Sequence, residues 1–136
     1  MKIRVLSSLM AAALLFSGSA FAGDYMWSAY KDRDYVSRKG ATTIVMYQPG
    51  NFLVSPTGKK ITGVQVQLRD STQADVSMMV CYNNTFDCVP MSYTGRVYED
   101  FNGRLADKPF YVKYTGTGLG PYPRSILATM VVYYND

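Results

Sequence analysis

The sequence predicts an all-β domain, either a compact antiparallel β-sandwich or a barrel, with one disulfide-pinned hairpin. Three observations lead there. β-Branched and aromatic runs recur at intervals of about ten residues, separated by clusters of Gly, Pro, Asn and Ser. Val64-Gln65-Val66-Gln67-Leu68 alternates strictly between apolar and polar residues, the period of a half-buried strand, while helical spacing is almost absent. Cys81 and Cys88 stand on either side of Asn83-Asn84-Thr85, whose asparagines tolerate the positive φ that tight turns require.

Taken in order, the chain opens with a segment of a different kind. Met1-Lys2-Ile3-Arg4 is basic, residues 5–16 are apolar, and Ala20-Phe21-Ala22 ends the stretch on a small-x-small pattern. These are the three parts of a secretory signal peptide. The apolar run is shorter than the ~20 residues a helix needs to span a bilayer, and no basic stop follows it. The expected division is therefore a signal peptide at 1–22 and a single β domain at 23–136, with no integral membrane segment. No cysteine lies near the cleavage point, so a lipid anchor has no support.

Past that point Tyr25, Trp27, Tyr30 and Tyr35 crowd aromatic rings among the charges of Lys31-Asp32-Arg33-Asp34. Tyr and Trp combine a large contact area with a polar tip, so these four are the candidate binding residues, read as an exposed patch near Trp27. A strand is expected at Thr42–Tyr47, ended by the turn Gln48-Pro49-Gly50-Asn51. A second turn, Ser55-Pro56-Thr57-Gly58-Lys59-Lys60, leads into the alternating strand at 64–68. Residues 69–74 break the pattern and Val76–Tyr82 resumes it.

The Asn-rich turn then brings Cys88 back to face Cys81. Facing residues of an antiparallel pair lie about 4.5 to 5.5 Å apart, which suits a disulfide. In an exported chain an even pair of cysteines reads as a disulfide ahead of a redox or metal site. Further strands are expected at 89–97, 110–114 and 126–134, with a loop at Glu99-Asp100-Phe101-Asn102-Gly103 and a Gly/Pro-rich connection at 115–123. The 126–134 run is apolar on both faces, as suits the middle of a sheet or the space between two layers.

Composition narrows the chemistry. The sequence has no histidine, which removes Ser-His-Asp and Cys-His nucleophile systems and most zinc sites. Oxidised cysteines offer no thiolate. Glu99 and Asp100 are neighbours that point to opposite sides of an extended chain, which fits a solvated turn better than a glycosidase carboxylate pair. Gly116-Thr117-Gly118-Leu119-Gly120 has the glycines of a phosphate loop, but Pro121 and Pro123 follow where a helix would be needed. Met26, Met46, Met78, Met79, Met91 and Met130 could supply thioethers to Cu(I), yet most lie in predicted strands, where core packing explains them.

No catalytic activity, cofactor or metal is therefore expected. The 14 basic and 10 acidic residues give a net charge of +4, but Lys2 and Arg4 leave with the leader, so the mature domain carries only +2. That balance gives no reason to expect a nucleic-acid partner.

The arrangement resembles the FlhE family of periplasmic flagellar proteins. The resemblance rests on Gly23-Asp24-Tyr25-Met26-Trp27-Ser28, on Ser55-Pro56-Thr57-Gly58 before Ile61-Thr62-Gly63-Val64, and on Val80-Cys81 followed closely by Cys88-Val89. Downstream it continues through Lys108-Pro109-Phe110-Tyr111-Val112, Gly118-Leu119-Gly120-Pro121 and the closing Val131-Val132-Tyr133-Tyr134. Each motif is short; their order and spacing over nearly the whole mature chain carry the weight. Two features depart from the family pattern, a longer inter-cysteine loop and a high tyrosine content, and they point to a divergent or non-flagellar relative.

What the resemblance implies is a non-enzymatic periplasmic accessory that acts by protein-protein contact in flagellar assembly or control of the export gate, with flagellar export or rod components as partners. The alternative is a secreted or surface adhesin-like module that uses its Tyr/Trp-rich surface to hold a glycan or host protein. The protein recovered from an exporting cell is expected to begin at Gly23, as intact mass and N-terminal sequencing will read. A chain that retains Met1 would refute the cleavage site and the export route together.

Overall fold

The computed structural model describes residues 24–68, 76–92 and 95–135. The predicted signal peptide and the break at 69–74 lie outside the described residues. Eight strands are seen among them: β1 (Tyr25–Val36), β2 (Thr42–Tyr47), β3 (Asn51–Phe52), β4 (Lys60–Leu68), β5 (Val76–Tyr82), β6 (Cys88–Met91), β7 (Phe110–Gly116) and β8 (Arg124–Asn135). They pair antiparallel in two four-stranded sheets, ordered β3-β1-β8-β4 and β2-β7-β5-β6. Of the two predicted architectures, the sandwich is the one formed.

Period-two alternation decides which side chains meet between the sheets. Phe110, Val112 and Tyr114 of β7 point inward beside Val76, Met78 and Val80 of β5, and Val64, Val66 and Leu68 of β4 close the core from the other sheet. β8 is the central strand of its sheet. Ile126, Ala128, Met130, Val132 and Tyr134 are fully buried on its core side, and Val131 and Tyr133 are nearly buried on the other. A strand apolar on both faces sits where the sequence predicts, hydrogen-bonded to neighbours on both edges.

Two expectations change. The N-terminal aromatic and charged segment is not a surface patch beside the fold but β1, at 12 residues one of the two longest strands. Its pairing with β8 shifts between Lys31 and Asp34, so that Lys31 faces Ala128 and Asp34 faces Ile126. That bulge adds one residue to β1 and reverses which parity points inward. Trp27 is buried before the bulge and Val36 after it.

The strand expected at 89–97 ends at Met91. Beyond it the chain crosses to the other sheet, where Tyr98 and Val64 exchange backbone hydrogen bonds of 2.8 and 2.9 Å. Ile61 N then donates to Arg104 O at 2.8 Å and Ala106 N to Lys59 O at 2.9 Å. A strand edge left open invites pairing with other chains, and here loop residues take up the edge of β4.

Cys81 and Cys88 are direct cross-strand partners in the β5–β6 hairpin and form the disulfide. Asn83 adopts φ 61°, and Asn84 Oδ1 accepts hydrogen bonds of 2.8 Å from both Phe86 N and Asp87 N. The asparagines thus build the turn with side chains as well as backbone. A loop this short, closed in the unfolded chain, is worth about 2.5 kcal/mol in the chain-entropy model. The double variant Cys81→Ser, Cys88→Ser is expected to keep the fold by circular dichroism while losing roughly 2 to 3 kcal/mol in a denaturant melt. An unchanged midpoint would overturn this account of the bridge.

Candidate functional site

Strand geometry divides the four aromatic residues of the predicted patch. Trp27 is fully buried: its indole Nε1 donates to Ala106 O at 2.7 Å, and its ring lies 6.3 Å from that of Phe110. Its apolar area is best placed in the core, and a buried indole N–H needs an acceptor, which the 105–109 loop supplies. Tyr25 is half-buried 6.0 Å from the Tyr134 ring, with the Lys59 ammonium 6.0 Å from its own ring centre. Tyr30 and Tyr35 remain exposed, by 46% and 56%. The expected exposed patch around Trp27 is therefore not formed, and only Tyr30 and Tyr35 offer their side chains to solvent at that level.

The other sheet carries apolar side chains on its outer face. Ile44 and Met46 of β2 and Met79 of β5 are exposed, and the register sets Ile44, Lys113 and Met79 in one row and Met46, Tyr111 and Cys81 in the next. Of the methionines expected in the core, Met78, Met91 and Met130 are buried, whereas Met26, Met46 and Met79 point outward. All six lie in strands; alternation sends half of them the other way.

Two buried phenols are paired with each other. Tyr47 and Tyr114 share a 2.7 Å hydroxyl–hydroxyl hydrogen bond inside the core. Burial pushes the Tyr47 hydroxyl up to about 12 and holds that of Tyr114 well above its ordinary value. Both phenols stay protonated at neutral pH, so the pair is a neutral structural contact. No group of three or more Cys, Asp and Glu side chains suited to a metal ion occurs among the described residues.

An open groove of about 310 Å³ is lined by Gln48, Pro49, Phe52, Ser55, Pro56, Thr57, Asp107 and Pro109. Two distant stretches form its walls. One is the connection from the end of β2 through β3 to the Ser55 turn, where Ser55 Oγ donates to Thr57 Oγ1 at 3.1 Å. Tyr134 OH donates to Val54 O and so ties that wall to β8. The other wall is the loop held from below by Trp27.

Asp107 is fixed from both sides in that loop. Ala106 before it accepts from Trp27 and donates to Lys59 O, and Pro109 O after it accepts from Asn83 N at 2.8 Å. Asp107 Oδ1 is enclosed and has no hydrogen-bond partner among the described residues. The sequence held no local signal for this groove, because its two walls are turn and loop residues fifty or more positions apart.

The fold is similar to one already solved. It matches the crystal structure of FlhE with a TM-score of 0.59, covering 85% of this chain and 100% of that one, at 18% sequence identity. The chain thus has an FlhE-like fold, as the order of the short motifs implied. No protein-family model matches the sequence, and no curated protein does.

The burial of Trp27 has a direct readout, because it is the sole tryptophan of the chain. Its emission in the folded protein is expected to be blue-shifted and resistant to iodide quenching, becoming quenchable on denaturation. Trp27→Phe is expected to cost about 1 to 3 kcal/mol in a denaturant melt, since it leaves the Ala106 carbonyl without its donor. Ready quenching in the native state would return Trp27 to the surface and refute the burial.

Proposed function

We propose that this protein is an exported, non-enzymatic accessory of the periplasm that works by contact with a partner protein, in flagellar assembly or control of the flagellar export gate. The observation that carries this reading is the FlhE-like fold, which spans 85% of the chain. Its support from the sequence is the ordered set of motifs, which resembles that family over nearly the whole mature domain. The disulfide fits an oxidising compartment. A contact role also suits the chemistry, because the buried phenols are neutral and the surface offers exposed Tyr30 and Tyr35 on β1.

Deletion of the gene is expected to alter swimming or filament assembly, with the protein released from the periplasm by osmotic shock in the parent strain. Tyr30→Ala with Tyr35→Ala, two exposed positions, is expected to leave the melting midpoint unchanged while failing to restore the deletion strain. Exposed aromatic side chains at an interface commonly supply more than about 1 kcal/mol each. Unchanged motility in the deletion strain would refute the flagellar role and favour the adhesin-like alternative. Full rescue by the folded double variant would keep the role and reject Tyr30 and Tyr35 as its contacts.

A further inference from the structure

We propose that β2 is a self-association edge: two copies of the protein pair antiparallel through Thr42–Tyr47 about a two-fold axis at Ile44, joining their β2-β7-β5-β6 sheets into one. An unpaired strand edge presents rows of N–H and C=O groups whose natural complement is another strand, so what it can take is narrowly defined. Among the described residues, every edge of the sandwich but one is closed or blunted. Loop residues Tyr98, Arg104 and Ala106 hydrogen-bond along β4 and the residue before it. β3 is two residues long, and β6 is four with Pro90 among them. Beyond β3, the outer edge of β1 carries Lys31, Asp32, Arg33 and Asp34 and a bulge. Charge, proline, shortness and bulges are the devices that keep edges from pairing. β2 has none of them: its six residues include no charge, glycine or proline, and its register with β7 runs unbroken.

The phase of the hydrogen bonds shows which groups face outward. Gly116 N donates to Ala41 O at 3.0 Å, just outside the facing pair Thr42 and Thr115. The main-chain groups of that pair therefore point away from each other, and the 2.8 Å contact between the two threonine hydroxyls fits the closer approach of such pairs. Alternation then assigns Thr43, Val45 and Tyr47 to β7 and turns the N–H and C=O of Thr42, Ile44 and Met46 to the open side. The side chains of the same three residues are exposed.

A second copy complements this edge. Ile44 faces Ile44 of the second copy and Thr42 faces its Met46, so the outward groups of all three residues are matched in a two-fold arrangement. No like charge opposes the pairing. Lys113, in the same row as Ile44, stands three strand spacings, about 14 Å, from its copy, beyond the screening length of about 8 Å at physiological salt. Closure also favours a copy over an unrelated extended segment. An added foreign strand leaves its own far edge open, whereas β2 on β2 covers both edges and stops at two. A six-residue strand pair is a small interface, so the dimer is a weak one, formed in the micromolar to millimolar range.

Sedimentation velocity of the purified, disulfide-bonded mature protein tests the pairing. The sedimentation coefficient is expected to rise with concentration across that range, from the monomer's value to the dimer's. Ile44→Lys sets two like charges directly opposite each other across the two-fold axis. It is expected to weaken association by roughly tenfold or more with little change in melting midpoint, because the side chain is half exposed. Ser77→Lys adds the same charge at an exposed position of β5, two strands away, and is expected to associate as the parent does.

Cross-linking reads the register. Ile44→Cys under mild oxidation is expected to form a disulfide-linked dimer, because hydrogen-bonded antiparallel partners have Cα atoms about 5.5 Å apart, within disulfide reach. Thr42→Cys is expected to give none, since Thr42 faces Met46 of the second copy. A parent protein monomeric throughout the range, association by folded Ile44→Lys as strong as by Ser77→Lys, or a cross-link through Thr42→Cys in place of Ile44→Cys would each overturn the proposal. Should Ile44→Lys fail to fold, the two cysteine variants decide. None of these readouts depends on the flagellar role, which stands or falls by the deletion experiment.

Discussion

The hydrogen bond from the Trp27 indole to the Ala106 carbonyl joins parts of the molecule that no strand pairing connects. Trp27 belongs to β1, its ring packs against Phe110 at the start of β7 in the opposite sheet, and its N–H holds the loop that bridges the two layers. That loop, in turn, pairs through Tyr98 and Arg104 with β4, and through Ala106 with Lys59 just before it, and occupies the edge that the four-stranded sheet would otherwise leave open. A smaller or purely apolar residue at position 27 would fill less of the core and leave Ala106 O without its donor. The end of the sandwich where Phe101, Phe110 and Tyr82 cluster therefore depends on one side chain that is both large and a hydrogen-bond donor.

Much of the fold was legible because strands report themselves through period two. The alternation at 64–68, the β-branched run at Thr42–Tyr47 and the uniformly apolar 126–134 stretch each correspond to a strand in the expected place. The cysteine hairpin was legible for a different reason, since turn chemistry and disulfide spacing are both local. β1 was not read as a strand because its bulge reverses the alternation halfway along and its middle is Lys31-Asp32-Arg33-Asp34, so no single parity runs through it. The end of β6 was hidden in the same way. Residues 89–97 look continuous as sequence, but the strand ends at Met91, and Tyr98 pairs with Val64 in the other sheet.

The site was less legible than the fold. An aromatic crowd near the N-terminus carries the same letters whether it faces water or the core, and only the strand register separates Trp27 from Tyr30. The groove had no signal at all, because Gln48, Ser55 and Thr57 are ordinary turn residues until the fold brings Asp107 opposite them. The residues that make the groove rigid, Trp27, Tyr134 and Asn83, are ones whose role appears only as long-range hydrogen bonds.

Charge placement gives the last step. Arg104 lies over the rings of Tyr82 and Phe101 and pairs with Asp87, so a cation already balances the hairpin turn next to the disulfide. Asp107, three residues further on, has no such partner among the described residues for its enclosed Oδ1; burial first, and then Asp107 and Asp87, raise the nearby Tyr82 hydroxyl above its ordinary value, while Arg104 opposes them. Two acids in one neighbourhood thus differ: Asp87 is paired with Arg104, whereas the enclosed Oδ1 of Asp107 has no hydrogen-bond partner among the described residues.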